Sequence, residues 1–293
     1  GGAKIFCAFA VLMFLVAYIV LVERRVCALI QDRIGPNRVG PLGLLQPMAD
    51  GIKAFLKEDF TPEHVRKIYF WIAPAITMIP ALLTIAVIPF GSTLGQQKMV
   101  IADLNVGILY TFGIVSLGVY GIVLAGYAAN SKYPFLGGIR SSAQLISYEI
   151  AMGLSVVPIF MLTGDLNLSQ VIGYQTGGLF HWLVFKQPLA FLIFLVAAFA
   201  ETNRLPFDLP ESEQELVGGY NTEYSSIRFA LFFMGEYANI LMSSALMVTL
   251  FFGGWTLPFF GLDQPADSLL KGLFHIGIFL GKLIALTVVF IWV

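Results

Sequence analysis

The sequence predicts an all-α polytopic membrane protein with seven membrane-spanning helices and one interfacial helix. Three observations predict it. Of 293 residues, 58% are hydrophobic and only 12% charged, about half the charge of a soluble domain. Apolar windows near twenty residues, the length that crosses a bilayer, recur along the chain. Lys and Arg are concentrated in alternate connections, as positive-inside topology requires.

The spans read as 3–23, 68–90, 104–128, 142–163, 188–202, 230–252 and 269–293. The fifth is short, and Glu201 with the following Asn-Arg-Leu-Pro marks its end. The first, third and fifth connections hold Arg24, Arg25, Arg33, Arg38, Lys53, Lys57, Arg66, Lys67, Lys132, Arg140, Arg204 and Arg228. The opposite side holds only Lys4, Lys98, Lys186 and Lys271. The first group is therefore expected on the cytoplasmic or matrix side. The chain reads as one integral membrane domain over 1–293, with inner-side loops at 24–67 and 201–229.

Within the first loop, Gly35-Pro36 and Gly40-Pro41 are turn signals. Leu45, Met48, Ile52 and Phe55 then recur at three- and four-residue steps, with Asp50, Lys53 and Lys57 on the other side. That spacing predicts an amphipathic helix, lying in the membrane interface or packed on the protein's own spans.

Electron carriage is not expected of this chain. Cys7 and Cys27 stand about 30 Å apart along helix, too far for a disulfide or shared metal. Of His64, His181 and His275 only the last falls in a span, so no paired haem ligands exist, and cysteines for a cluster are lacking. His275 reads as a packing residue.

Carboxylates carry the functional signal. The loop AETNRLPFDLPESEQELVGGYNTEY holds Glu201, Asp208, Glu211, Glu213, Glu215 and Glu223 between two apolar stretches. Glu149 reads as about two turns inside the fourth span, Glu236 is similarly placed in the sixth, and Lys282 lies mid-seventh. Such residues either fix helix packing or pass protons, with Lys282 able to set the order of ionisation. Tyr148 and Tyr237 adjoin Glu149 and Glu236 as candidate hydrogen-bond partners.

Glu23-Arg24-Arg25, IGPNRVGPLGLLQPMADGIKAFLKED at 34–59, SYE at 147–149 and ETNRLPFDLPESEQELVGGYNTEY at 201–224 resemble one family over nearly the whole chain. It is the H subunit of bacterial proton-pumping NADH:quinone oxidoreductase, respiratory complex I, called NADH dehydrogenase subunit 1 in mitochondria. The resemblance implies a component of the bacterial inner or mitochondrial inner membrane that forms the quinone entry channel and chamber. Quinone is then its substrate, and the chain binds no cofactor, metal or nucleic acid of its own. FMN and iron–sulfur clusters belong to partner subunits. Implied partners are the peripheral-arm subunits beside the terminal cluster, small membrane subunits, antiporter-like pumping subunits and lipids.

By matching motifs, Arg24, Asp50, Phe207, Asp208 and Glu211 are implied in quinone binding, and Glu149, Glu201, Glu213 and Glu236 in the proton route. Some relatives carry a further glutamate where this chain has Ser116. The apolar ends at Gly1-Gly2 and Ile291-Trp292-Val293 are expected to be truncations, with a basic loop and an eighth helix expected beyond. The equivalent subunit of a membrane-bound hydrogenase or ferredoxin-driven quinone reductase is the nearest alternative. A stand-alone ion-coupled transporter is a remote one, because the halves show no internal repeat.

Overall fold

The computed structural model describes residues 2–94, 97–208, 218–259 and 261–293. The first helix, α1, covers Gly2–Ile30 and overruns its apolar window because nothing in Glu23-Arg24-Arg25 breaks a helix. The expected amphipathic helix is present as α2, Gln46–Leu56. α3 (Lys67–Leu83) carries Pro74 and Pro80 and finishes in a 3-10 turn, Thr84–Val87. A two-residue hairpin, Thr93–Leu94 with Gln97–Lys98, follows. The third span is split at Ser116 into α4 (Gly107–Val115) and α5 (Leu117–Ala128).

Next come α6 (Lys132–Thr163), the short α7 (Leu168–Tyr174) and α8 (Leu183–Lys186), α9 (Pro188–Glu201), α10 (Ser226–Phe251) and α11 (Leu269–Trp292). Among the described residues six helices are long and apolar enough to cross a membrane, and α9 is a shorter apolar one at 14 residues. The all-α polytopic class is thus what the structure shows.

One boundary needs correction. The segment before residue 142, expected as loop, is the first part of α6. Pro134 does not prevent this, because the first helical turn has no backbone partner for the missing N–H. The 32-residue helix is roughly 48 Å long against a hydrocarbon core of about 30 Å. Glu149 lies roughly 25 Å along α6 from Lys132, since the helix extends ahead of the apolar window that begins near 142.

The bundle is organised around α10, most of whose residues are buried against α1, α3, α9 and α11. Phe194, Ile240, Met247 and Phe251 fill its centre. A second row runs α3–α5–α6–α9. Between apolar helices in lipid, close approach of backbones replaces the hydrophobic drive. Gly121 of α5 lies against Thr77 and Ala73 of α3, and Gly126 against Pro134 and Gly138 of α6. A Cβ at Gly126 would meet the Pro134 carbonyl oxygen at 2.6 Å. Gly126→Val is expected to destabilise the protein by about 1–3 kcal/mol through this overpacking. Thermal melting in detergent checks it; an unchanged melting temperature would show that the two helices part without cost.

Candidate functional site

Glu149 on α6, Glu201 at the end of α9 and Glu236 on α10 line one cavity of about 40 Å³. Thr77, Ser116, Thr202, Asn203, Tyr220 and Asn239 complete its polar wall. The volume suffices for about three water molecules. Local sequence explains the arrangement. The break at Ser116 interrupts the third span beside the cavity, and α9 stops at Glu201 because Asn203 takes a left-handed conformation (φ 49°). Gln144 then pins the descending chain to α6. Its Nε2 donates to the carbonyls of Ala200 (2.8 Å) and Phe207 (3.0 Å).

Below the cavity lies an ion network. Arg204 donates two hydrogen bonds to the Glu23 carboxylate, at 2.6 and 3.2 Å. Its Nε stands 3.2 Å from Glu236 Oε1. Tyr237 donates to Glu23 Oε2 at 2.6 Å, and the guanidinium lies 4.9 Å from the Tyr237 ring centre. Burial pulls the Arg204 pKa down, but Glu236 and Glu23 outweigh it and raise the value above its ordinary one. Arg204 stays charged.

Two expected partners are thereby corrected. Tyr237 bonds to Glu23 rather than to its neighbour Glu236, because adjacent helical side chains diverge. Tyr148 packs edge-on against Phe207, ring centres 5.3 Å apart. Sequence reading also misses Glu23 and Arg204 as site residues, one visible only within a motif and the other only as a topological charge. The available signal is Glu23 itself, a carboxylate closing an apolar run.

Arg24 and Asp50 meet in a salt bridge of 2.8 Å, with Gln46 donating to Asp50 at 3.1 Å. They tie α2 to α1. Ser226 Oγ adds a second anchor, donating to the carbonyls of Ala54 and Lys57 at the end of α2. The other face of α2, with Met48, Ile52 and Phe55, is exposed and not covered by the chain's own spans. One face of α2 is thus packed on the protein's own spans, α1 and α10, and its apolar face is left open. Phe207 and Asp208 are partly buried beyond α9. Glu211 and Glu213 lie outside the described residues, so the structure brings together three of the four proton-route candidates and, separately, Arg24 with Asp50.

The family model described as NADH dehydrogenase matches residues 3–293. The chain belongs to the NADH dehydrogenase family. It is 54% identical over 261 residues to the H 2 subunit of the NADH-quinone oxidoreductase of Geobacter sulfurreducens, covering 88% of this chain and 78% of that protein. To the H 1 subunit of the Cytophaga hutchinsonii enzyme it is 47% identical over 292 residues, covering 97% and 84%. To the H 1 subunit of the Geobacter metallireducens enzyme it is 55% identical over 260 residues, covering 87% and 78%. The resemblance carried by the four motifs is the one these comparisons give. As a family member the chain is a membrane component of a multisubunit oxidoreductase, and among its described residues no His, Cys, Asp and Glu group could hold a metal ion.

At the opposite end of this NADH dehydrogenase family member, Lys282 takes the packing alternative of its two readings. Its Nζ donates to the carbonyls of Phe252 (2.7 Å), Gly254 (3.0 Å) and Thr256 (2.6 Å), capping the end of α10. That end is roughly 24 Å along the helix from Glu236. Lys282 is a structural cap. His275 is buried, bonded through Nδ1 to Ser92 Oγ (2.8 Å) and stacked near Trp255, which is the packing role expected of it.

Asp103 closes the same end, accepting from Lys98 Nζ (2.6 Å) and Asn167 Nδ2 (2.9 Å). The Lys98 bond holds its carboxyl below the usual range although burial acts the other way. The unfolded chain therefore binds this proton at higher pH than the folded protein. The stabilisation is full above the ordinary carboxylate value and is lost as pH falls through the lower folded one. The native protein is expected to melt above Asp103→Asn at pH 6, with the gap closing below about pH 4. Melting curves of both proteins across that range check it; a constant gap would contradict the sign.

Proposed function

We propose that the chain admits quinone from the bilayer beside α1 and α2 and converts quinone reduction into proton movement through Glu149, Glu201 and Glu236. The observation that carries the reading is the cavity shared by those three carboxylates, with the Arg204 network at its foot. Intramembrane carboxylates on converging helices are costly unless used, and exchange protons over short, water-bridged distances.

On this reading the exposed apolar face of α2, at headgroup depth, guides the quinone tail. Arg24 and Asp50 border the entry, and Phe207, Asp208 and Glu211 shape the chamber. Electrons come from an iron–sulfur cluster in the peripheral arm, which also brings FMN into the complex. Protons taken up on forming quinol, and the charge that drives them, act on Asp208, Glu211 and Glu213. The change passes through Glu201 to Glu149 and Glu236, toward antiporter-like subunits. Arg204 holds Glu23 and Glu236 in place during the transfer. The basic end faces the cytoplasm or matrix, where the peripheral subunits dock.

The relatives' names, each an H subunit of NADH-quinone oxidoreductase, favour quinone as substrate. Ile52→Glu tests the entry in the assembled complex. It is expected to raise the KM for quinone several-fold with kcat unchanged, because the loss falls on binding alone. Steady-state NADH oxidation at varied quinone concentration reads it. An unchanged KM would remove α2 from the entry.

A further inference from the structure

A second cavity lies at the end of the bundle away from Arg24 and Arg204. It is an apolar cleft of about 370 Å³ between the first half of α1, the end of α3, α10 and α11. Cys7, Val11, Leu15, Ile88, Ala245 and Phe279 are among the residues that line it, and Lys4 stands at its mouth. The Lys4 ammonium donates to the Lys98 carbonyl at 2.7 Å, and no described carboxylate forms an ion pair with it. Lys98, by contrast, is paired with Asp103.

Along α1 the cleft runs from Ala3 to Leu15, roughly 18 Å. That is close to half of a hydrocarbon core of about 30 Å, the depth of one leaflet. A partner transmembrane helix would need the whole thickness, and a soluble ligand would need polar groups that the cleft wall lacks. An acyl chain needs neither. The charge at the mouth matches a phosphate at headgroup level.

We propose that this cleft binds one anionic phospholipid, an acyl chain within it and the phosphate at Lys4. The lipid seals the α1–α11 seam on the side opposite the quinone entry. The site is independent of the proton route, so its test does not depend on that reading.

The assembled complex is washed in detergent, equilibrated with phosphatidylglycerol, and the retained lipid counted by mass spectrometry across a concentration series. Two variants are compared with the native protein. Cys7→Trp, at an exposed position of the lining, is expected to remove one tightly retained lipid per complex. Lys4→Gln is expected to weaken its retention about fivefold, the loss of one interfacial charge. Equal retention in all three proteins would overturn the proposal. So would a protein segment cross-linked to Cys7 in the native complex, because the cleft would then be occupied by chain rather than lipid.

Discussion

Arg204→Leu is expected to destabilise the protein by about 3 kcal/mol, the low end for breaking a buried ion pair, and to abolish quinone-linked turnover. Arg204 is only 17% exposed and pairs with two carboxylates from different helices, Glu23 of α1 and Glu236 of α10. Leucine would remove the guanidinium that both carboxylates contact, and Tyr237 would lose the cation over its ring. Arg204→Lys is expected to fall between native and leucine. A lysine keeps the charge but cannot form the two-pronged bond to Glu23 while also reaching Glu236. Melting temperature and NADH:quinone reductase activity of the assembled complex read both effects. If the leucine variant melts and turns over like the native protein, the network is a surface ornament and the cavity above it needs no support.

What the chain reveals before folding follows from the range of each interaction. The spans are legible because a bilayer demands about twenty apolar residues in sequence, a local property. The amphipathic helix α2 is legible from three- and four-residue spacing, and the Glu201 boundary from the Asn-Arg-Leu-Pro that follows it. The Arg204–Glu23 bond joins residues 181 positions apart, and nothing local announces it. The shared cavity depends on the break at Ser116 and on how α6, α9 and α10 converge, which only packing decides. The start of α6 differs from the expected span boundary because Lys132 to Arg140 lie in a segment whose charges resemble a loop. The choice between the two readings of Lys282 is not legible for a similar reason: its carbonyl partners belong to the unwinding end of another helix. Family likeness supplies the roles; geometry supplies the companions.

Glu201→Gln is the second substitution with a large expected effect, and it bears on the central claim. Glu201 closes α9 and lines the cavity with Glu149 and Glu236, between the acidic loop and the bundle interior. Glutamine keeps the size and hydrogen bonding of the side chain but can neither bind nor release the proton. The cavity therefore survives while the transfer through it does not. Removal of a positioned proton-transfer group costs on the order of a hundredfold or more in rate. Glu201→Asp, which keeps the exchangeable proton on a shorter arm, is expected to retain part of the activity.

The decisive measurement is proton translocation per NADH oxidised by the Glu201→Gln complex reconstituted in sealed vesicles, with quinone reduction followed in the same sample. Proton translocation is expected to collapse, and tightly coupled quinone reduction to fall with it. Undiminished quinone reduction together with undiminished proton pumping would contradict the account and leave Glu201 as a packing residue.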